Sequence, residues 1–118
     1  MRSSPSRALA LPLLLLLAVL SVAGCARREP VPDAAALQTR AQALIEAGNT
    51  FYRAGDFTTA AKRYAAAAVV KPDDPAAYFG LGMALTKLGR DEEARLAYTR
   101  ARELAQQARE GAGTDTTR

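Results

Sequence analysis

The fold is decided by AQALIEAGNTFYRAGDFTTAAKRYAAAAVVKPDD, residues 41–74, laid over PAAYFGLGMALTKLGRDEEARLAYTRARELAQQA, residues 75–108. At this offset of 34 residues six positions coincide: Ala43 with Ala77, Gly48 with Gly82, Gly55 with Gly89, Ala60 with Ala94, Tyr64 with Tyr98 and Ala67 with Ala101. Alanine-rich helices match one another often. Two paired glycines and a paired tyrosine in one register mark an internal repeat.

Each paired residue has a physical use. Gly55 and Gly89 each follow about a dozen helix-compatible residues, where a left-handed C-terminal position favours glycine. Asp56 and Asp91 come just after, in place to cap the next helix. Glu92 and Glu93 add favourable charge to its first turn. Gly48, Ala60 and Ala67, with their counterparts, are small residues at spacings that let two antiparallel helices approach closely, and Tyr64 and Tyr98 fill the space beside them. Lys71-Pro72 ends the first unit, and Asp74-Pro75 supplies a cap and a first-turn proline for the second. The unit is helix, tight turn, helix, short turn, and the fold class is all-α.

The two units resemble the tetratricopeptide repeat. The first carries the family pattern at Leu44, Gly48, Phe51, Gly55, Ala60, Tyr64, Ala67 and Pro72. The second carries it at Tyr78, Leu81, Gly82, Gly89, Ala94, Tyr98 and Ala101, and departs from it at Gln106, where the pattern has proline. The last helix is therefore expected to run on to about Arg109. The resemblance implies two tandem helix-turn-helix hairpins in a short right-handed α-solenoid, repeat 1 over 41–74 and repeat 2 over 75–108. The domain is expected over 33–109, opened by Asp33 as an N-cap. The polar, small and aperiodic residues 110–118 read as a disordered tail.

In that family the first helix of each unit lines a concave face that holds a partner. Carried onto this chain, the implied groove residues are Gln42, Ile45, Glu46, Asn49, Tyr52 and Arg53, then Ala76, Phe79, Gly80, Met83, Thr86 and Lys87. Ile45, Tyr52, Phe79 and Met83 would give apolar contact, Asn49 could hydrogen-bond a peptide backbone, and Arg53 and Lys87 bring positive charge. Ile45 and Phe79 have a second reading, as packing between the units. The chaperone-binding carboxylate clamp of some repeats is argued against, because Ile45 and Gly80 stand where it needs lysine and asparagine.

Composition narrows the chemistry. The chain has no histidine and one cysteine, and every serine (Ser3, Ser4, Ser6, Ser21) precedes that cysteine. The usual triads and metal ligands are thereby removed, and no catalytic residue, metal or cofactor is implied. Glu92 and Glu93 point about 100° apart on a helix and cannot attend one bond together. Arg95, Arg100 and Arg102 with Glu103 read as a solvated face.

The single cysteine has another explanation. Arg2 and Arg7 precede an apolar run from Ala8 to Leu20, and Val22-Ala23-Gly24-Cys25 follows. This resembles the lipobox of bacterial lipoprotein precursors. It implies a signal peptide over 1–24, lipidation of Cys25, and a tether over 25–32 in which Pro30 and Pro32 prevent a helix. Residues 26–32 reach about 23 Å when extended. Acyl chains contribute about 0.8 kcal/mol per buried methylene, so several hold a protein on a bilayer. Two readings compete: an uncleaved anchor, since Leu9–Ala26 reaches the lower length of a membrane span though weakened by Pro12, Ser21 and Gly24, and an ordinary secretory signal with a chance cysteine.

Loss of Arg2 and Arg7 would leave 14 basic against 12 acidic residues, interspersed in sign. Nucleic-acid binding, which favours a clustered basic face, is not expected. The expected role is a membrane-anchored interaction module or scaffold in the bacterial cell envelope, at the outer membrane facing the periplasm by analogy from Ala26. The alternative is an assembly or pilotin-like subunit of a pilus, secretin or outer-membrane machine. Two repeats leave one end of the array short of cover. Leu96, Ala97 and Leu104 are expected to face that open end, to be covered by a partner chain, by a second copy docked through the C-terminal helix, or by a larger assembly.

Overall fold

The computed structural model describes residues 30–114. The expected signal peptide, Cys25 with most of its tether, and residues 115–118 lie outside the described residues. Four helices follow in order: α1 (Ala34–Arg53), α2 (Phe57–Val70), α3 (Pro75–Lys87) and α4 (Asp91–Thr114). Each packs on the next, and α1 also meets α3. Among the described residues no helix is long and apolar enough to cross a membrane.

The helix ends follow the chemistry of the turns. Asp33, Asp56 and Asp74 each cap a helix, accepting from the backbone N–H of Ala36, Thr59 and Ala76 at 2.7, 3.0 and 2.9 Å. α1 and α3 end alike. Gly55 and Gly89 adopt φ of +79° and +71°. Gly55 N–H donates to the Tyr52 carbonyl and Asp56 N–H to that of Phe51, and Gly89 and Arg90 repeat this toward Thr86 and Leu85. This is the Schellman closure, and it recurs at the repeat period.

Two expectations about α4 are corrected. Asp91 does not cap it. The capping position falls on Arg90, whose carbonyl accepts from Ala94 N–H at 2.9 Å, as the Asp56 carbonyl accepts from Ala60 at 3.0 Å. Asp91 is already the first helical residue and acts with Glu92 and Glu93 as first-turn charge. Residues 110–114, expected in the disordered tail, extend the helix to Thr114. Among the described residues no proline interrupts it, and Gln106 Nε2 donates to Glu110 Oε1 at 3.0 Å, four residues on.

The core is built from small residues around one ring. Tyr64 is 1% exposed, and Ala60, Ala67, Ala77 and Ala84 are buried about it with Ile45 and Ala61. A second cluster joins Leu85, Ala94 and Ala97 between α3 and α4. α3 touches α1, α2 and α4, and so buries residues on several sides: Ala77, Gly80, Gly82, Ala84 and Leu85.

Candidate functional site

Two tyrosine-glycine crossings hold the hairpins. A Cβ added at Gly48 would lie 2.7 Å from the Tyr64 ring, and one at Gly82 would lie 2.8 Å from the Tyr98 ring. The small residues thus sit at the crossings of sister helices, and each tyrosine fills the adjoining space. A third crossing joins the repeats. A Cβ at Gly80 would lie 2.3 Å from Tyr64 Cε1, so the same ring is gripped from α1 and from α3. Tyr64 donates its hydroxyl to Asn49 Oδ1 at 2.7 Å. Burial, followed by Tyr52, pushes its phenol above the ordinary value, and Arg53 pulls it back in part.

These contacts redistribute the expected groove residues. Ile45, expected on an open face, is 7% exposed and belongs to the core. Gly80 is buried against Tyr64. Asn49 is half-buried, with its carbonyl committed to Tyr64. Gln42, Glu46, Arg53 and Lys87 are exposed, Tyr52 and Met83 half-buried. Thr86 is exposed and donates its hydroxyl to the Gly82 carbonyl at 2.9 Å.

Two of the expected groove residues, Tyr52 and Lys87, converge on Phe57, the first residue of α2. Its ring meets that of Tyr52 edge-on, with centroids 5.2 Å apart at 68°. Lys87 Nζ stands over the same ring, 6.0 Å from its centroid. Tyr52 of repeat 1 and Lys87 of repeat 2 are thereby joined in one patch. Phe57 was not among the expected residues, because its position at the start of the second helix carries no groove signal in the repeat pattern.

A groove of about 820 Å³ opens on the outer side of repeat 2, between α3 and α4. Phe79 stands 55% exposed at its wall, edge-on to Tyr98 with centroids 5.6 Å apart at 62°. Ala94, Ala101 and Ala105 also line it, as do Thr86, Arg95 and Arg102. The residues expected at the open end lie elsewhere. Ala97 and Leu104 are buried, together with Ala94 and Ala101 along one seam of α4, and only Leu96 projects, at 67% exposure. Leu96 is one residue, about 100°, off that seam. Arg95 and Arg102, expected as a solvated face, form the groove's rim.

Acidic chemistry offers little beside this. Glu93 takes Arg90 Nε at 2.7 Å, and Glu92 pairs with Arg95. Among the described residues no cluster of three acidic, cysteine or histidine side chains could hold a metal ion.

Stacked helical hairpins of a fixed period, locked by glycine under tyrosine, define a helical repeat protein. Residues 45–109 match the tetratricopeptide repeat, and the chain belongs to that family. The family is one of interaction modules that bind other proteins. A search of curated proteins found no match.

Proposed function

We propose that this chain is a lipid-anchored tetratricopeptide module of the bacterial cell envelope, held at the membrane through Cys25, that binds another envelope protein. The observation that carries the reading is the patch of Tyr52, Phe57 and Lys87. It draws both repeats into one surface of aromatic and cationic character, next to exposed Arg53 and half-buried Met83. Tyrosine, phenylalanine, methionine and arginine are enriched in the cores of protein interfaces, and tyrosine and arginine among their strongest contributors. The thiol at the end of an apolar, small-residue run supports the lipid handle, and Ala26 after it is compatible with transport to an outer membrane. The open apolar side of repeat 2 favours a lasting partner, which is how an assembly or pilotin-like subunit would use the fold.

Metabolic labelling with a palmitate analogue tests the anchor: the parent incorporates label and Cys25→Ala does not. Photocrosslinking in cells from position 52, read by mass spectrometry, tests the module. A single envelope protein captured from position 52 and absent from an exposed control such as position 107 is the expected result. Label retained by Cys25→Ala, or equal capture from both positions, overturns the corresponding half.

A further inference from the structure

Superposing the repeats by sequence shows what the outer side of repeat 2 is shaped to hold. Phe79, Ala94, Tyr98 and Ala101 stand where Ile45, Ala60, Tyr64 and Ala67 stand one period earlier. In repeat 1 those four residues are core. Ala77 and Ala84 of α3 join the same cluster, and Gly80 lies against the Tyr64 ring. In repeat 2 the equivalent four line the open groove. We infer that this groove docks one amphipathic helix of a partner protein, seated as α3 is seated on repeat 1. That helix presents a glycine or alanine to Tyr98 and an acidic side chain in the residues that lead into its first turn. The groove's lining shares no residue with the patch of Tyr52, Phe57 and Lys87.

The rim specifies the charge. Arg95 and Arg102 stand where repeat 1 has Ala61 and Ala68. Arg95 already pairs with Glu92, whereas Arg102 has no ion pair among the described residues. α2 ends at Val70 and α3 begins at Pro75, so the first turn of α3 lies beside the end of α2 that carries Ala68. A helix docked in the same pose brings its N-terminal approach, where α3 carries Asp73 and the capping Asp74, to Arg102. An acid there is favoured by the guanidinium and by the helix dipole together.

A second copy stacked head-to-tail does not meet these requirements. Its α1 would take the place of α3, and the residue one period before Gly80 is Glu46. An exposed carboxylate would then be pressed onto Tyr98, at the crossing where α3 carries no side chain. Thr50 likewise stands in place of Ala84. Open-ended stacking, the hazard of a head-to-tail contact, is opposed by the chain's own first helix.

The probe is a capped, fluorescent peptide of this chain's residues 72–90, which carries Asp73, Asp74 and Gly80. It is titrated against the full-length chain in detergent solution, with circular dichroism confirming the helical content of every variant. Saturable one-to-one binding is expected. Phe79→Asp in the protein, or Gly80→Leu in the peptide, weakens it by about tenfold or more. Asp73→Lys in the peptide weakens binding to the parent about threefold and strengthens binding to Arg102→Glu, in keeping with a single exposed ion pair. Tyr52→Ala leaves binding unchanged, which separates this site from the first-helix patch. Absence of saturable binding, equal binding by Phe79→Asp, or a parent dimer in sedimentation that Phe79→Asp dissociates would each overturn the proposal, the last in favour of a second copy.

Discussion

At Gly80 a methyl group would meet Tyr64 Cε1 at 2.3 Å, and the ring cannot retreat, since its hydroxyl is tied to Asn49 and Gly48 closes its other side. Overpacking of this kind costs about 1–3 kcal/mol, against about 1 kcal/mol gained from alanine's helix propensity. Gly80→Ala should therefore lose up to about 2 kcal/mol in urea unfolding. Gly111→Ala, where an added Cβ meets nothing within 4 Å, should lose none. The tyrosines separate in the same way. Tyr64→Phe gives up the bond to Asn49 and should cost about 1 kcal/mol, while Tyr98→Phe should stay within about 0.5 kcal/mol. The pairing of Gly48 with Tyr64 and of Gly82 with Tyr98 was legible in the chain, because both members recur one period apart. Gly80 was not. Its counterpart is Glu46, and the reason for a glycine lies in the stacking of one repeat on the next, which no single unit contains.

Among elements, α2 and α4 are the same helix in two versions with different starts. Asp56 caps α2 through Thr59 N–H, but Arg90 holds the equivalent place in α4 and reaches Glu93 instead. Arg90→Ser would create a Ser-Asp-Glu-Glu start, a capping box with Glu93. A cap is worth about 1 kcal/mol, and an exposed pair such as Arg90–Glu93 about 0–1 kcal/mol. The substitution should therefore stabilise by about 0.5 kcal/mol in thermal unfolding. The cap of α2 also predicts a response to acid. The backbone N–H of Thr59, then its side chain, holds the Asp56 carboxyl below its usual value. A folded pKa lower than the unfolded one gives stability that is complete above the unfolded value and lost as pH falls through the folded one. Melting temperature should thus drop below about pH 4, and Asp56→Asn, which caps without titrating, should flatten that part of the curve between pH 5 and pH 2. The chain showed where helices end, at Gly55 and Gly89, more clearly than where α4 begins. An aspartate just after a glycine looks like a cap, and only the shared period places Arg90 there instead.

For the whole molecule, the shared Tyr64 makes the two hairpins one folding unit. Its ring is enclosed by Gly48 of its own hairpin and by Gly80 of the next, and Ala60, Ala67, Ala77 and Ala84 are buried in that common cluster. The repeat architecture could be read from the period, yet the shape of the open side could not. That side depends on which alanines of α4 face α3, and Ala97 and Leu104 proved to lie inside the seam. A chain ending at Asp74 keeps the α1–α2 seam but exposes the ring and the alanines that α3 covers. Units of about 40 residues are marginal without a second element to bury their apolar face. Far-UV circular dichroism at 25 °C should show most of its helix lost. A chain ending at Arg109 keeps every buried residue among the described ones and should unfold in a single transition at the parent's midpoint. Should the chain ending at Asp74 stay helical and melt cooperatively, each hairpin would be held by its own seam, and the grip of α3 on Tyr64 would be only a contact between finished units.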